Sequence, residues 1–168
     1  MVTLIATEES RQDVDELAAF FEGLSNPTID MQKQVGNVVR SLFANHFAEE
    51  GSDVSGPWAD LKDSTQIERK MEGYNPDHPI LERSGYYRES FTNVNSPSNF
   101  EFTEFRNDGW AMEFGSEDWR VNELEKGRPR MFARPVTKLS SGERDEIGDM
   151  LELMFQQAAT DYEDGKRG

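Results

Sequence analysis

The chain contains no cysteine, which excludes disulfides, thiolate nucleophiles and cysteine-type zinc sites together. Histidine is nearly absent. Only His46 and His78 occur, and neither belongs to an HExxH or comparable ligand spacing. No GxxxxGK[ST] phosphate loop and no GxSxG nucleophile elbow are present. Apolar residues make up 35% of the chain, and none of their runs approaches the roughly eighteen residues of a membrane span. The start, MVTLIATEES, lacks the basic n-region and long apolar core of a secretory leader, so synthesis in the cytoplasm is expected.

Positive charge is the other scarcity. The 168 residues carry 33 acids against 18 bases, a formal charge of −15. Free nucleic-acid binding, which gains affinity by neutralising phosphates with Lys and Arg, is disfavoured by that balance. An acid-lined passage through which DNA slides without sticking is one reading of it. A general surface adaptation to concentrated salt, where repulsion is screened within about 3 Å at 1 M, is another, and an ordinary acidic protein is a third. The salt reading fits best, because Arg outnumbers Lys 12 to 6 while the acids are spread along the whole chain. It points to a halophilic host.

Length favours one domain over residues 1–168. A first helix is expected from about Ser10 to Leu24, with Val14, Leu17, Ala18 and Phe21 on one face. Ser25-Asn26-Pro27 ends it, and Thr28 is placed to cap a second helix running to about Glu49. Val35, Val38, Val39, Leu42, Phe43, His46 and Phe47 give that helix a broad apolar stripe. Gly36 interrupts the stripe at a cost of about 1 kcal/mol, which suggests the close approach of another backbone.

Gly51 to Pro57 reads as a loop, followed by a short helix from Ser64 to Met71. After an irregular stretch, Gly73 to Pro79, a helix or turn is expected to reach Phe91, and Asn93 to Asn99 reads as loop. Then the period changes from helical to alternating. Phe100, Phe102 and Phe105, the Asp108-Gly109 turn signal, and Trp110, Met112 and Phe114 predict a β-hairpin. Trp119 to Glu125 reads as a third extended segment. Arg128 to Pro135, with two prolines, cannot be a central strand. Ser140 and Glu143 form a capping box for a last helix, with Ile147, Met150, Leu151, Met154 and Ala158 on its stripe. The tail from residue 161 is expected to fray. Together these elements make an α+β domain with N-terminal helices, a small antiparallel β-sheet of three or four strands, and a C-terminal helix.

No constellation for catalysis, metal or cofactor emerges. Asp13/Asp15, Glu49/Glu50 and Glu123/Glu125 can each be drawn as carboxylate pairs for acid–base work, but 33 acids produce such pairs by chance. His46 reads as a core histidine and His78 as a turn residue. The phenylalanines, including Phe20, Phe21, Phe43, Phe47, Phe91, Phe100, Phe102, Phe105 and Phe114, read as core. Trp58 reads as an anchor for its loop. Arg128 to Pro135 is either a solvated loop paired with local Glu or a basic contact for an acidic neighbour, a task that suits planar Arg forks.

In order, Val35-Gly36, Phe43 and Phe47, Gly56-Pro57-Trp58, Leu61, Thr65 and Lys70, then Leu81, Ser84-Gly85 and Ser90, then Phe114-Gly115-Ser116 and Arg130-Met131-Phe132-Ala133-Arg134-Pro135 resemble the Mu-like phage virion morphogenesis family of tail-completion proteins. The likeness covers about Asp30 to Met154. It departs where Trp119-Arg120 and Glu123 stand in place of the family's Tyr-Ala and His, and in the rearranged Arg-Pro-Phe order. The resemblance implies a virion protein at the tail tip, or between tail tube and head connector. Such a subunit would form a ring, six-fold by preference, around DNA that passes without sequence-specific contact. Its neighbours would be tail tube or tail terminator and head connector or adaptor proteins, with no membrane involved. Trp58, Leu61, Arg83, Arg128, Arg130, Phe132, Arg134 and Pro135 are the interface candidates. A tail terminator, a non-structural assembly factor and an enzyme with an acidic metal site remain as alternatives.

Overall fold

A computed structural model of the chain describes residues 28–77, 79–106, 109–127 and 132–167. The expected first helix, with Phe20 and Phe21, lies outside them, as do His78, the Asn107-Asp108 turn, Arg128 and Arg130. Within them the order is α1 (Ile29–Ala48), β1 (Gly51–Ser52), β2 (Gly56–Pro57), α2 (Asp63–Met71), α3 (Tyr86–Thr92), β3 (Asn99–Arg106), β4 (Gly109–Ser116), α4 (Val121–Lys126) and α5 (Ser141–Arg167). The α+β reading holds. None of the described helices is long and apolar enough to cross a membrane.

Helix α1 is the axis of the core. The Thr28 hydroxyl accepts from the Met31 N–H at 3.2 Å, which satisfies one of the orphan donors of the first turn. Val35, Val39, Leu42, Phe43, His46 and Phe47, three or four residues apart, are buried on one face. Phe91 meets Phe43 edge-on at 5.7 Å, and Phe47 meets Trp58 at 5.7 Å and Tyr87 at 5.9 Å. Such edge-to-face pairs add roughly 0.5–1.5 kcal/mol each beyond their burial. Ile80 and Val136, both fully covered, close this cluster from two loops.

The hairpin β3–β4 pairs in register from Asn99↔Ser116 to Arg106↔Gly109. It lies across α1 through the Arg40–Glu101 ion pair and a 3.0 Å bond from Thr103 Oγ1 to Gln32 Oε1. That contact corrects the reason for Gly36. A Cβ there would come within 2.8 Å of Arg40 Nη2 and 3.1 Å of Glu101 Oε1, so the close neighbour is an ion pair rather than a backbone.

Three other expectations change. The sheet is two separate two-stranded ribbons, because the 51–57 loop closes on itself as β1–β2. Gly51 is needed there, since a Cβ would sit 2.4 Å from the Gly56 carbonyl. Trp119 to Glu125 is helical from Val121 onward, not extended. Asp118 starts the turn, accepting the Arg120 N–H on its carboxylate and the Val121 N–H on its carbonyl, and Asn-Glu-Leu-Glu-Lys contains good helix formers. The tail also stays helical to Arg167, with a Gln157–Asp161 side-chain bond at 2.7 Å bridging one turn.

Not all the aromatics are core. Phe102 is 50% exposed and Phe105 57%. Facing positions Thr103↔Met112 and Glu101↔Phe114 turn toward α1. Phe102 is on the opposite face, and Phe105 lies near the hairpin tip.

Candidate functional site

The interface candidates divide into residues that the fold uses internally and residues that it leaves at the surface. Trp58 is 5% exposed, and its Nε1–H donates to the Pro135 carbonyl at 3.3 Å. Arg134 is 7% exposed. Its Nη2 donates to the Ala59 carbonyl at 2.8 Å and the Asp60 carbonyl at 3.2 Å, and its Nε donates to Ala59 at 3.2 Å. Burial pulls this guanidinium below its ordinary pKa, and no carboxylate among the described residues offsets that. The two motifs therefore fasten each other. Neither Trp58 nor Arg134 is presented for an outside partner in this conformation, and Pro135 is buried beside them.

The same segment is tied from its other side. The Arg134 N–H donates to the Leu124 carbonyl at 2.6 Å. The Glu125 carboxylate accepts from the Val136 N–H at 2.7 Å, the Thr137 N–H at 3.2 Å and the Thr137 hydroxyl at 3.0 Å. Of the carboxylate pairs drawn for acid–base work, Glu125 is thus committed to the backbone, and Glu50 takes the Ile80 N–H at 2.7 Å. Asp13 and Asp15 lie outside the described residues. Among the described residues no three His, Asp or Glu side chains converge as a metal cluster.

His46 joins α1 to this segment and to α5. Its Nδ1 lies 2.7 Å from the Val136 carbonyl and its Nε2 2.6 Å from Glu143 Oε1. Both ring nitrogens are thus held, one by a backbone carbonyl and one by a carboxylate. Glu143 closes the capping box as expected, accepting from the Ser140 N–H at 2.6 Å while its own N–H donates to Ser140 Oγ at 3.2 Å. Burial alone would raise its carboxyl. The bonds from the Ser140 N–H, His46 and the Ser140 hydroxyl outweigh burial and hold it below the ordinary carboxylate range.

Because the folded carboxyl is depressed relative to the unfolded one, its stabilisation is present above the unfolded value, about 4.3 for Glu, and fades as pH falls through the folded value. We therefore expect the stability difference between wild type and Glu143→Gln to be largest near neutral pH and to shrink steadily below about pH 4. Urea midpoints measured across that range would check this; a difference that does not change with pH would contradict it.

Leu61 is half-buried and Arg83 partly exposed, with Arg83 bonded to Glu68 at 3.2 Å and to Glu72. Phe132 is 64% exposed, while Arg128 and Arg130 lie outside the described residues. Leu61 and Arg83 also line a cavity of about 380 Å³ between α2, the turn before α3, and α4. Sequence reasoning missed two members of its wall, Arg69 and Arg120, whose only signal was being basic in an acidic chain. A larger groove of about 460 Å³ between the start of α1 and the second half of α5 is lined largely by Met31, Met150, Leu153, Met154 and Ala158, with no cationic side chain. No protein-family model, curated protein or solved structure matches the chain.

Proposed function

We propose that this protein is a structural subunit of a tailed virus, a tail-completion or head–tail joining protein that acts by ring assembly and does no chemistry. The observation that carries the reading is the pairing of its two most distinctive motifs. Gly56-Pro57-Trp58 and Arg134-Pro135 are distant in sequence, yet Trp58 donates to the Pro135 carbonyl and Arg134 donates to the Ala59 and Asp60 carbonyls that follow Trp58. Two of the several stretches that carry the resemblance to tail-completion proteins are thus packed against each other.

The hairpin supports the same reading. Its strands are eight residues each, and no third strand pairs with either edge among the described residues. Free edges are templates for strand addition by another chain. With Phe102, Phe105 and Phe132 exposed, a head-to-tail contact between copies has both backbone and apolar groups to use, and a heterologous contact gives a ring where its rotation closes. Six copies are favoured. In the virion the ring would meet tail tube or terminator proteins on one side and connector or adaptor proteins on the other.

The decisive experiment is the copy number of this chain in purified virions, measured by quantitative mass spectrometry against the major capsid protein. About six or about twelve copies, the small closed-ring orders, are expected. Absence from the particle would replace this reading with a transient assembly factor, and copies on the order of hundreds with a tube or shell protein.

A further inference from the structure

Helix α1 is covered on two sides. Its core face carries Val35, Val39, Phe43 and Phe47, and the β3–β4 hairpin meets another flank at Gln32 and Arg40. A third flank, at Met31 and Gln34, faces the second half of α5 across the groove of about 460 Å³. The two helices run in opposite directions there. His46 near the end of α1 bonds Glu143 in the first turn of α5, whereas Met31 near the start of α1 shares the groove with Met154, Ala158 and Asp161.

Charge restricts what can lie in that groove. Among the described residues its ionisable lining side chains are Asp30 and Asp161, which repel an anion, and no third ligand joins them as a metal cluster. Met31, Met150, Met154 and Ala158 are half-buried, and Leu153 is 65% exposed. An apolar stripe fits such walls, and an ion does not.

The chain itself supplies one. Thr28, where the described residues begin, also lines the groove. Just before it, the sequence predicts a helix from Ser10 to Leu24 with Val14, Leu17, Ala18 and Phe21 on one face. A helix of that length is marginal in water unless its apolar face has a surface to pack on. The link Ser25-Asn26-Pro27 is short, and short links join antiparallel neighbours. Counted back from Thr28 at the helical rise, Phe21 then falls level with Met31, and Ala18 level with Gln34.

We propose that the segment Ser10 to Leu24 docks in this groove of its own chain, antiparallel to α1, with Leu17, Ala18 and Phe21 against Met31, Met154 and Ala158. The contact lies within one chain and is independent of the assembly role, so its failure would leave that role standing. It would also reserve the hairpin, rather than this groove, for other copies.

The test exploits the absence of cysteine, which leaves no background to an introduced pair. In the full chain, Ala18→Cys with Met154→Cys should oxidise to a disulfide within one chain, since bonded cysteines need Cα atoms within about 7 Å. It would be read as a faster-migrating monomer on a non-reducing gel. Ala18→Cys with Ile67→Cys, at a position 60% exposed on α2, should not close. Met150→Cys, one turn earlier on α5, replaces Met154→Cys if that variant does not fold. Phe21→Asp should lower the thermal midpoint by roughly 5–10 °C. A disulfide-linked dimer would place the segment in a second copy's groove and overturn the proposal. So would oxidation no faster than in the Ile67 pair, or an unchanged midpoint in Phe21→Asp.

Discussion

Trp58→Ala is expected to cost roughly 3–5 kcal/mol of folding stability, a large share of the roughly 5–15 kcal/mol that holds a domain of ordinary size together. Three losses combine at that position. The indole leaves an edge-on contact with Phe47 at 5.7 Å, in the cluster formed by α1 and α3. The Pro135 carbonyl loses its indole donor. A cavity opens where the 51–61 loop meets the 132–137 segment, so two connections are loosened by one substitution. Trp58→Phe keeps one aromatic ring but removes the N–H together with the rest of the indole, so an intermediate loss of roughly 1–3 kcal/mol is expected. Guanidinium unfolding followed by circular dichroism would check both variants. A loss below about 1 kcal/mol for the alanine would mean that the tryptophan does not anchor its loop.

The second large effect is expected at Arg134→Glu. The native guanidinium is buried against the carbonyls of Ala59 and Asp60. A carboxylate in that position would face acceptors with no donor of its own, and charges left buried without compensation cost roughly 3–5 kcal/mol. Loss of the folded protein is the expected result, read as a drop in soluble yield and a lost cooperative transition. A soluble Arg134→Glu protein with an unchanged midpoint would show that this segment is not held as described. Two residues earlier, Phe132 is 64% exposed, and Phe132→Ala is expected to fold normally. A charge reversal aimed at virion joining belongs at such exposed positions, since at Arg134 a defect in joining could not be told from a defect in folding.

Much of the architecture was legible because local rules and tertiary demands agreed. The stripe on α1, the Thr28 cap, the Ser140–Glu143 capping box and the β3–β4 hairpin each depend on residues near one another in sequence. Where local signals were weak, the reading failed. Val121 to Lys126 holds only two apolar residues, Val121 and Leu124, over a span too short for periodicity to distinguish strand from helix, and the Asp118 turn settled it. Phe102 and Phe105 read as core because they are large and apolar, but a two-stranded ribbon lying on one helix has only one face to bury, which leaves Phe102 outside, and Phe105 lies near the hairpin tip.

The sequence by itself determined the periodicities, the caps, the charge of −15 and the absence of cysteine chemistry, since these follow from residue type and spacing alone. Only the tertiary structure decided which cations have partners. Nothing in the sequence tells the surroundings of Arg134, in the arginine-rich 128–135 segment, from those of Arg69, beside Lys70. Folding spends the donors of one on the Ala59 and Asp60 carbonyls and buries two donors of the other with no acceptor among the described residues. The physical reason is that a hydrogen bond needs an acceptor within about 3 Å. Which acceptors come that close is fixed by contacts between elements distant in the chain, which no local pattern records.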